Sequence, residues 1–274
     1  MTTEVVLLHG LGAARNQPLG LFGPVLDQLG VPPTAIAAPD VRAHGASTLV
    51  GEPGDFALDR LAREVGEAAR AALDSASGDA AASAPPADGP SKPLTIIGIS
   101  MGAALALRIC LLGLLPVERA VFVRPAFGER SLPPNLRAFP VIGELLRERG
   151  PVAGAERFRH TEPYARVAHE SPAGARGLLT QFTAPDAARR AMRLVEIPRN
   201  RAFEADGDLG ALASRGIRSL VVGAPRDPVH PFSLAERWAG GLGAPLERVP
   251  PRDDGQPAQD AAMRAIVGGW LSRP

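Results

Sequence analysis

Leu94-Thr95-Ile96-Ile97-Gly98-Ile99-Ser100-Met101-Gly102-Ala103-Ala104-Leu105 is the stretch whose reading decides the fold. Its first half is a short apolar run rich in isoleucine, the composition of a strand buried on both faces. Its second half continues as an apolar pattern to about Leu112 and reads as a helix. Between them, Gly98-Ile99-Ser100-Met101-Gly102 puts a serine on a sharp strand-to-helix turn. Such a turn crowds the backbone, and small flanking residues relieve the crowding. The serine hydroxyl then projects above the sheet, with a helix N-terminus behind it to favour developing negative charge. A bare match to this spacing is weak, since glycine and serine are common; the strand–turn–helix context makes it specific.

Working outward, other short apolar runs alternate with helical patterns, as in a mostly parallel sheet flanked by helices. The runs are Val5–Leu8, Ala35–Ala38, Leu94–Ile99, Ala120–Val123, Ile217–Val222 and a weaker Leu246–Val249. Leu58, Leu61, Val65, Ala69 and Ala72 share one helical face, and Met263, Ile266, Val267, Trp270 and Leu271 share another. Ser75–Pro93, rich in Ala, Ser, Pro and Gly, breaks the alternation and reads as a flexible loop at the edge away from ligands. A longer break runs from about Ala126 to Ser214, helical in pattern and cut by Pro140, Pro151, Pro163, Pro172, Pro185 and Pro198. It leaves from the carboxyl end of one strand, so it is expected to form a cap over the ligand edge. The expected division is a core of residues 1–126 and 215–274 with a cap of residues 127–214.

The 274 residues suffice for one capped domain, and a hydrophobic fraction of 45% with 22% charged residues is that of a globular chain. A net charge of +1 gives no reason to expect nucleic acid or an anionic membrane as partner, and the large cap favours a small-molecule substrate over a polymer. Lys92 is the only lysine, and the single Cys110 sits in an apolar run as a small core residue. The first residues carry no basic leader, which makes a cytoplasmic address the expectation. No metal-ligand spacing, phosphate loop or dinucleotide fingerprint is present, so neither metal nor cofactor is expected.

His9-Gly10-Leu11-Gly12 follows the first apolar run directly. Stabilising an oxyanion requires backbone N–H groups aimed at one point. Met101, after the serine, supplies one candidate and Leu11 the other. His9 reads either as the support of that turn or as a substrate contact.

Taken together, these residues resemble the α/β-hydrolase superfamily, in its capped form with a nucleophilic serine. Pro39-Asp40-Val41-Arg42-Ala43-His44-Gly45-Ala46-Ser47 is similar to a family segment in which Asp40, Arg42 and His44 would build a structural turn. Val221-Val222-Gly223-Ala224-Pro225-Arg226-Asp227 resembles the strand and loop carrying the family's catalytic acid, which implies Asp227. By the same resemblance His230, just beyond, is a family commonplace without catalytic duty.

The family's base follows the last strand, commonly as Gly-His. Here the sequence reads Pro250-Pro251-Arg252-Asp253-Asp254-Gly255-Gln256-Pro257, and no histidine occurs after His230. Gln256 takes the expected place, and a glutamine cannot deprotonate a serine. Without a base the hydroxyl is a poor nucleophile. His160 and His169, on the cap, are the candidate substitutes or substrate contacts. Arg42, Arg124, Arg199 and Arg201 are candidates to hold a substrate carboxylate or phosphate, although solvated or structural roles are the more ordinary ones.

Three functions fit. One is hydrolysis of a small, largely apolar ester, thioester or lactone through Ser100, with Asp227 and an incomplete or displaced triad. Another is cyclisation, elimination or rearrangement in the same pocket. The third is ligand binding without catalysis. The retained serine turn, glycines and Asp227 speak against the third; the base's absence speaks against the first.

Overall fold

A computed structural model describes residues 3–76 and 92–273. In chain order the regular elements are β1 (Glu4–Leu8), α1 (Asn16–Gln28), β2 (Ile36–Ala37), α2 (Leu58–Ala76), β3 (Leu94–Ile99), α3 (Met101–Leu112) and β4 (Val117–Val123). There follow α4 (Ala138–Phe158), α5 (Glu162–Glu170), α6 (Pro172–Thr183), α7 (Met192–Glu196) and α8 (Asp206–Ser214). The chain closes with β5 (Arg218–Gly223), α9 (Phe232–Leu242), β6 (Leu246–Arg248) and α10 (Gln256–Leu271). Each apolar run singled out in the sequence carries a strand. The loop expected at 75–93 lies mostly outside the described residues.

The six strands form one sheet in the order β2-β1-β3-β4-β5-β6, and every neighbouring pair is parallel. Alternate residues of each strand point to opposite faces, so the sheet divides the interior into two cores. On one face Val6, Leu8, Ile96, Phe122 and Val221 pack against α2, α3, α8 and α9. On the other, Val5, Leu7, Ile97, Val121 and Val222 meet Phe22 and Leu26 of α1 and Met263, Val267 and Trp270 of α10. The stripe on α2 is as expected except at its end, where Leu73 is buried and Ala72 is exposed. Cys110 is buried in the first core, and burial pushes its thiol up to about 12. Among the described residues no helix is long and apolar enough to cross a membrane.

Arg119, in β4, ties the sheet to the C-terminal helix. Its Nη1 donates to the Leu271 carbonyl at 2.9 Å, and Nη2 to those of Trp270 at 3.1 Å and Arg273 at 2.7 Å. The first two are carbonyls of the last turn of α10, which a helix end leaves without intrahelical partners, and the third lies just beyond it. The guanidinium also lies 4.8 Å from the Trp270 ring centroid.

Between β4 and β5 the chain is helical, as the sequence pattern suggested. Several of its prolines mark helix starts, where a missing N–H costs nothing. Pro163 and Pro172 lie in the first turns of α5 and α6, behind the capping side chains Thr161 and Ser171. Pro151 instead follows a kink inside α4 at Gly150, whose φ is 74°. Helices α4 to α7 pack on one another, with α4 meeting both α6 and α7. Helix α8 belongs elsewhere: it packs on α9 and α3.

Candidate active site

The turn after β3 is built by close backbone approaches. Ser100 has φ 56° and ψ −111°, a strained conformation for a side-chain-bearing residue. A Cβ on Gly98 would stand 2.2 Å from the Gly102 carbonyl oxygen, and a Cβ on Gly102 would stand 2.3 Å from that of Leu8. Both positions therefore require glycine for lack of space. The turn is held by the Ser100 N–H, which donates to the Val123 carbonyl at 2.9 Å, and the serine side chain emerges at the start of α3.

Ser100 lines a cavity of about 330 Å³. Its walls come from the loops after β1, β3, β4, β5 and β6, and from Phe139 of α4 and Gly174, Leu178 and Gln181 of α6. The lining mixes apolar groups (Leu11, Ile99, Phe139, Leu178, Val229) with Gln17, Gln181, Arg124, Arg226 and Arg252. It is more polar than the sequence suggested.

His230 faces the serine. Its Nε2 lies 2.9 Å from Ser100 Oγ, and its Nδ1 lies 2.9 Å from Asp227 Oδ2. The other Asp227 oxygen accepts the backbone N–H groups of Val229 at 3.1 Å and His230 at 3.0 Å. An aspartate that accepts from the amides two and three residues on curls its own loop. Here the curl turns the imidazole back over the end of β3. Ser100, His230 and Asp227 thus form one hydrogen-bonded chain.

The electrostatics suit this order. Burial alone would raise the Asp227 pKa, but the His230 imidazole and the Arg124 guanidinium, 3.6 Å away, hold it well below the usual carboxylate range. For His230, burial is the largest influence and lowers its pKa from 6.5 against the pull of Asp227. The imidazole is therefore neutral near pH 7, with Nδ1–H donating to the carboxylate and Nε2 free to accept the hydroxyl proton.

Leu11 lines the same cavity as Ser100, and Met101 follows Ser100 in the chain. The Gly10 N–H is donated to Gln17 Oε1 at 2.8 Å. Among the described residues neither the Leu11 nor the Met101 N–H has a protein acceptor. Met101 lies in the first turn of α3, whose N–H groups have no acceptor in their own helix.

A model of the alpha/beta hydrolase family matches residues 5–265. The chain belongs to that family. Solved structures with the same fold include a thermophilic esterase from Thermogutta terrifontis, 18% identical with a TM-score of 0.62 over 99% of this chain and 89% of that one. MenH from S. aureus is 13% identical, with a TM-score of 0.66 over 98% and 93% of the two chains. The homoserine O-acetyltransferase of Staphylococcus aureus is 14% identical, with a TM-score of 0.65 over 100% and 86%. No curated protein matches the chain in sequence.

Within this alpha/beta hydrolase, several residues singled out from sequence lie elsewhere. Gln256 is not at Ser100: it opens α10, is exposed, and donates from Nε2 to Asp260 at 2.6 Å. The reason is local, because the Arg252–Asp254 turn and Gly255, with φ 126°, swing the chain past the cavity before the helix begins. Arg252 reaches the cavity from that segment instead. His160 and His169 are exposed and do not line the cavity.

His9 is a support rather than a substrate contact. Fully buried, it joins Nδ1 to the Gly10 carbonyl at 2.9 Å and accepts the Val41 N–H on Nε2 at 3.1 Å. Asp40, Arg42 and His44 are structural as expected: Asp40 accepts from Arg15 and Ala46, Arg42 pairs with Glu64, and His44 bonds the Arg42 carbonyl. Arg199 and Arg201 pair with Glu196 and Glu204. Arg124 alone of those arginines is at the cavity.

The residue that sequence reasoning passed over is His230. Two signals pointed to it: five histidines in the whole chain, and an Asp-x-x-His spacing that an aspartate-led turn closes.

Proposed function

We propose that this protein is a serine hydrolase that cleaves a small carboxylic ester, thioester or lactone through an acyl-enzyme on Ser100. The observation that carries this reading is the unbroken chain from Asp227 through His230 to Ser100, both links 2.9 Å long. Cyclisation, elimination, rearrangement or binding without catalysis would be favoured by a site that lacked a base. With an imidazole on the serine hydroxyl, that reason is gone.

In the first half-reaction Ser100 Oγ attacks the carbonyl carbon as His230 Nε2 takes its proton. Asp227 holds the ring in the reactive tautomer and stabilises the imidazolium that forms. Negative charge gathers on the former carbonyl oxygen, which the Leu11 and Met101 amides and the N-terminus of α3 receive. The intermediate then collapses, and His230 returns the proton to the departing alcohol or thiol. Water repeats the sequence on the acyl-enzyme with the same base. Arg124 keeps Asp227 ionised throughout. Helices α4 to α7 act as the cap, and Phe139 and the α6 residues shield the reacting atoms from bulk water.

The test is labelling and turnover together. A fluorophosphonate is expected to modify Ser100 in the wild type and not in Ser100→Ala, and 4-nitrophenyl butyrate is expected to be hydrolysed with a burst. A protein that neither reacts with the probe nor turns over an activated ester would refute the proposal.

A further inference from the structure

Two polar side chains at the cavity have no employment within the protein. Gln181, on α6, is 7% exposed, lines the cavity, and its Oε1 has no donor. A buried carboxamide oxygen left unpaired is costly unless a group from outside the chain bonds it. The side chain overhangs Gly12, where a Cβ would fall 1.8 Å from Oε1, so it reaches across the loop that carries the Leu11 amide. The second is Arg252, an exposed residue at the cavity mouth whose guanidinium lies against Gly177 of α6 and makes no hydrogen bond or close ion pair among the described residues.

Asp227 and Asp260 act on Arg252 only from beyond contact distance, and the other carboxylates nearby have closer partners. Asp227 is bound to His230, Asp253 to Ser171 and the Ala173 amide, and Asp254 to Arg226. The cavity is thus lined by Arg124, Arg226 and Arg252 against one carboxylate, Asp227, and Arg252 is the one of the three without a carboxylate within ion-pair distance. A cation and an unpaired carboxamide facing one cavity call for an anionic, hydrogen-bonding ligand.

We propose that the substrate carries a carboxylate, which Arg252 holds, while the Gln181 carboxamide hydrogen-bonds the polar body of the same molecule. This rests on the hydrolase reading of Ser100 and names its substrate class: a small ester with a free carboxylate, such as the monoester of a short dicarboxylic acid. Arg252 and Gln181 are specificity residues, since neither bonds the triad.

The experiment compares monomethyl glutarate with dimethyl glutarate, two ligands alike but for one charge, by calorimetric titration of Ser100→Ala. A charge-assisted bond in such a cavity is expected to favour the monoester by roughly tenfold or more. Adding Arg252→Ala should collapse that ratio towards one, and Arg252→Lys should restore part of it. Gln181→Leu should weaken both ligands by about threefold to tenfold while leaving the ratio in place. Equal affinity for the two ligands, no measurable affinity for the monoester, or a ratio that survives Arg252→Ala overturns the proposal. Because the titration needs no turnover, it stands apart from the hydrolase test. Hydrolysis of neutral esters without preference for an anionic one would leave that reading and sink this one.

Discussion

Asp227 and His230 are joined twice across three residues, once through the His230 backbone N–H on Oδ1 and once through the imidazole on Oδ2. The same carboxylate shapes the loop and orients the ring that the loop carries. In the relatives that the sequence resembles, the base arrives from beyond the last strand; here one short turn after β5 presents both groups.

Under the proposed mechanism, replacing His230 removes the group that accepts the serine proton. His230→Ala is expected to lower kcat for an activated ester on the order of a thousandfold or more, with the remainder supplied by the amides and binding. Gln256→Ala, on the outside of the same end of the molecule, should leave kcat within about twofold, since surface changes of this kind are nearly neutral. Steady-state kinetics of the two variants decide between these positions, and a reversed pattern would undo the assignment of the base.

The acid limb of the pH–rate profile follows from the direction of the His230 shift. Protonated His230 cannot accept from Ser100, so activity is full above the folded pKa and falls as pH drops through it. Burial lowers that pKa, so the midpoint of kcat/KM is expected below 6.5. Linkage has the same sign: a depressed folded pKa means the unfolded chain binds the proton first, so stability present above 6.5 declines as pH falls towards the folded value. The buried His44 is shifted in the same direction and adds to that decline. A midpoint above 6.5 would contradict the buried, neutral imidazole.

Gly102→Ala tests the construction of the serine turn. The new methyl would stand 2.3 Å from the Leu8 carbonyl oxygen, a backbone atom that cannot swing aside. Overpacking of this kind is expected to cost about 3 kcal/mol, and to displace Ser100 as well. Urea unfolding should give the stability loss, and fluorophosphonate labelling should slow in the fraction that stays folded. An unchanged midpoint would mean that β1 and α3 can separate more easily than their contact suggests.

Arg119→Ala should loosen α10 without touching the cavity. The variant loses three bonds to terminal carbonyls and the stacking on Trp270, for an expected loss of about 2 kcal/mol. Hydrogen exchange should show the last turn of α10 opening first, while kcat is retained.

Much of this was legible in the sequence. The strands appear because a two-faced parallel sheet demands continuous apolar runs, and Ser100 appears because its glycines are forced by backbone contact. Asp227 was implied only by the resemblance of Val221–Asp227 to a family strand and loop. His230 was hidden because family position placed the base after β6. What overrules that position is a turn made by the Asp227 side chain, which no apolar periodicity records. The cavity's polarity was hidden for a related reason. Arg252 and Gln181 come from segments distant in sequence, and only the packing of α6 over the loop after β6 makes them neighbours.

β6 is three residues long, mostly exposed and at the edge of the sheet, the kind of strand that opens first when a protein warms. A base mounted behind it would lose alignment with each such opening. Here the proposed acid and base, Asp227 and His230, lie on the loop that follows β5, an interior strand hydrogen-bonded on both sides. Fraying of the sheet's margin would therefore disturb Arg252, on the loop after β6, before it reached Asp227 and His230.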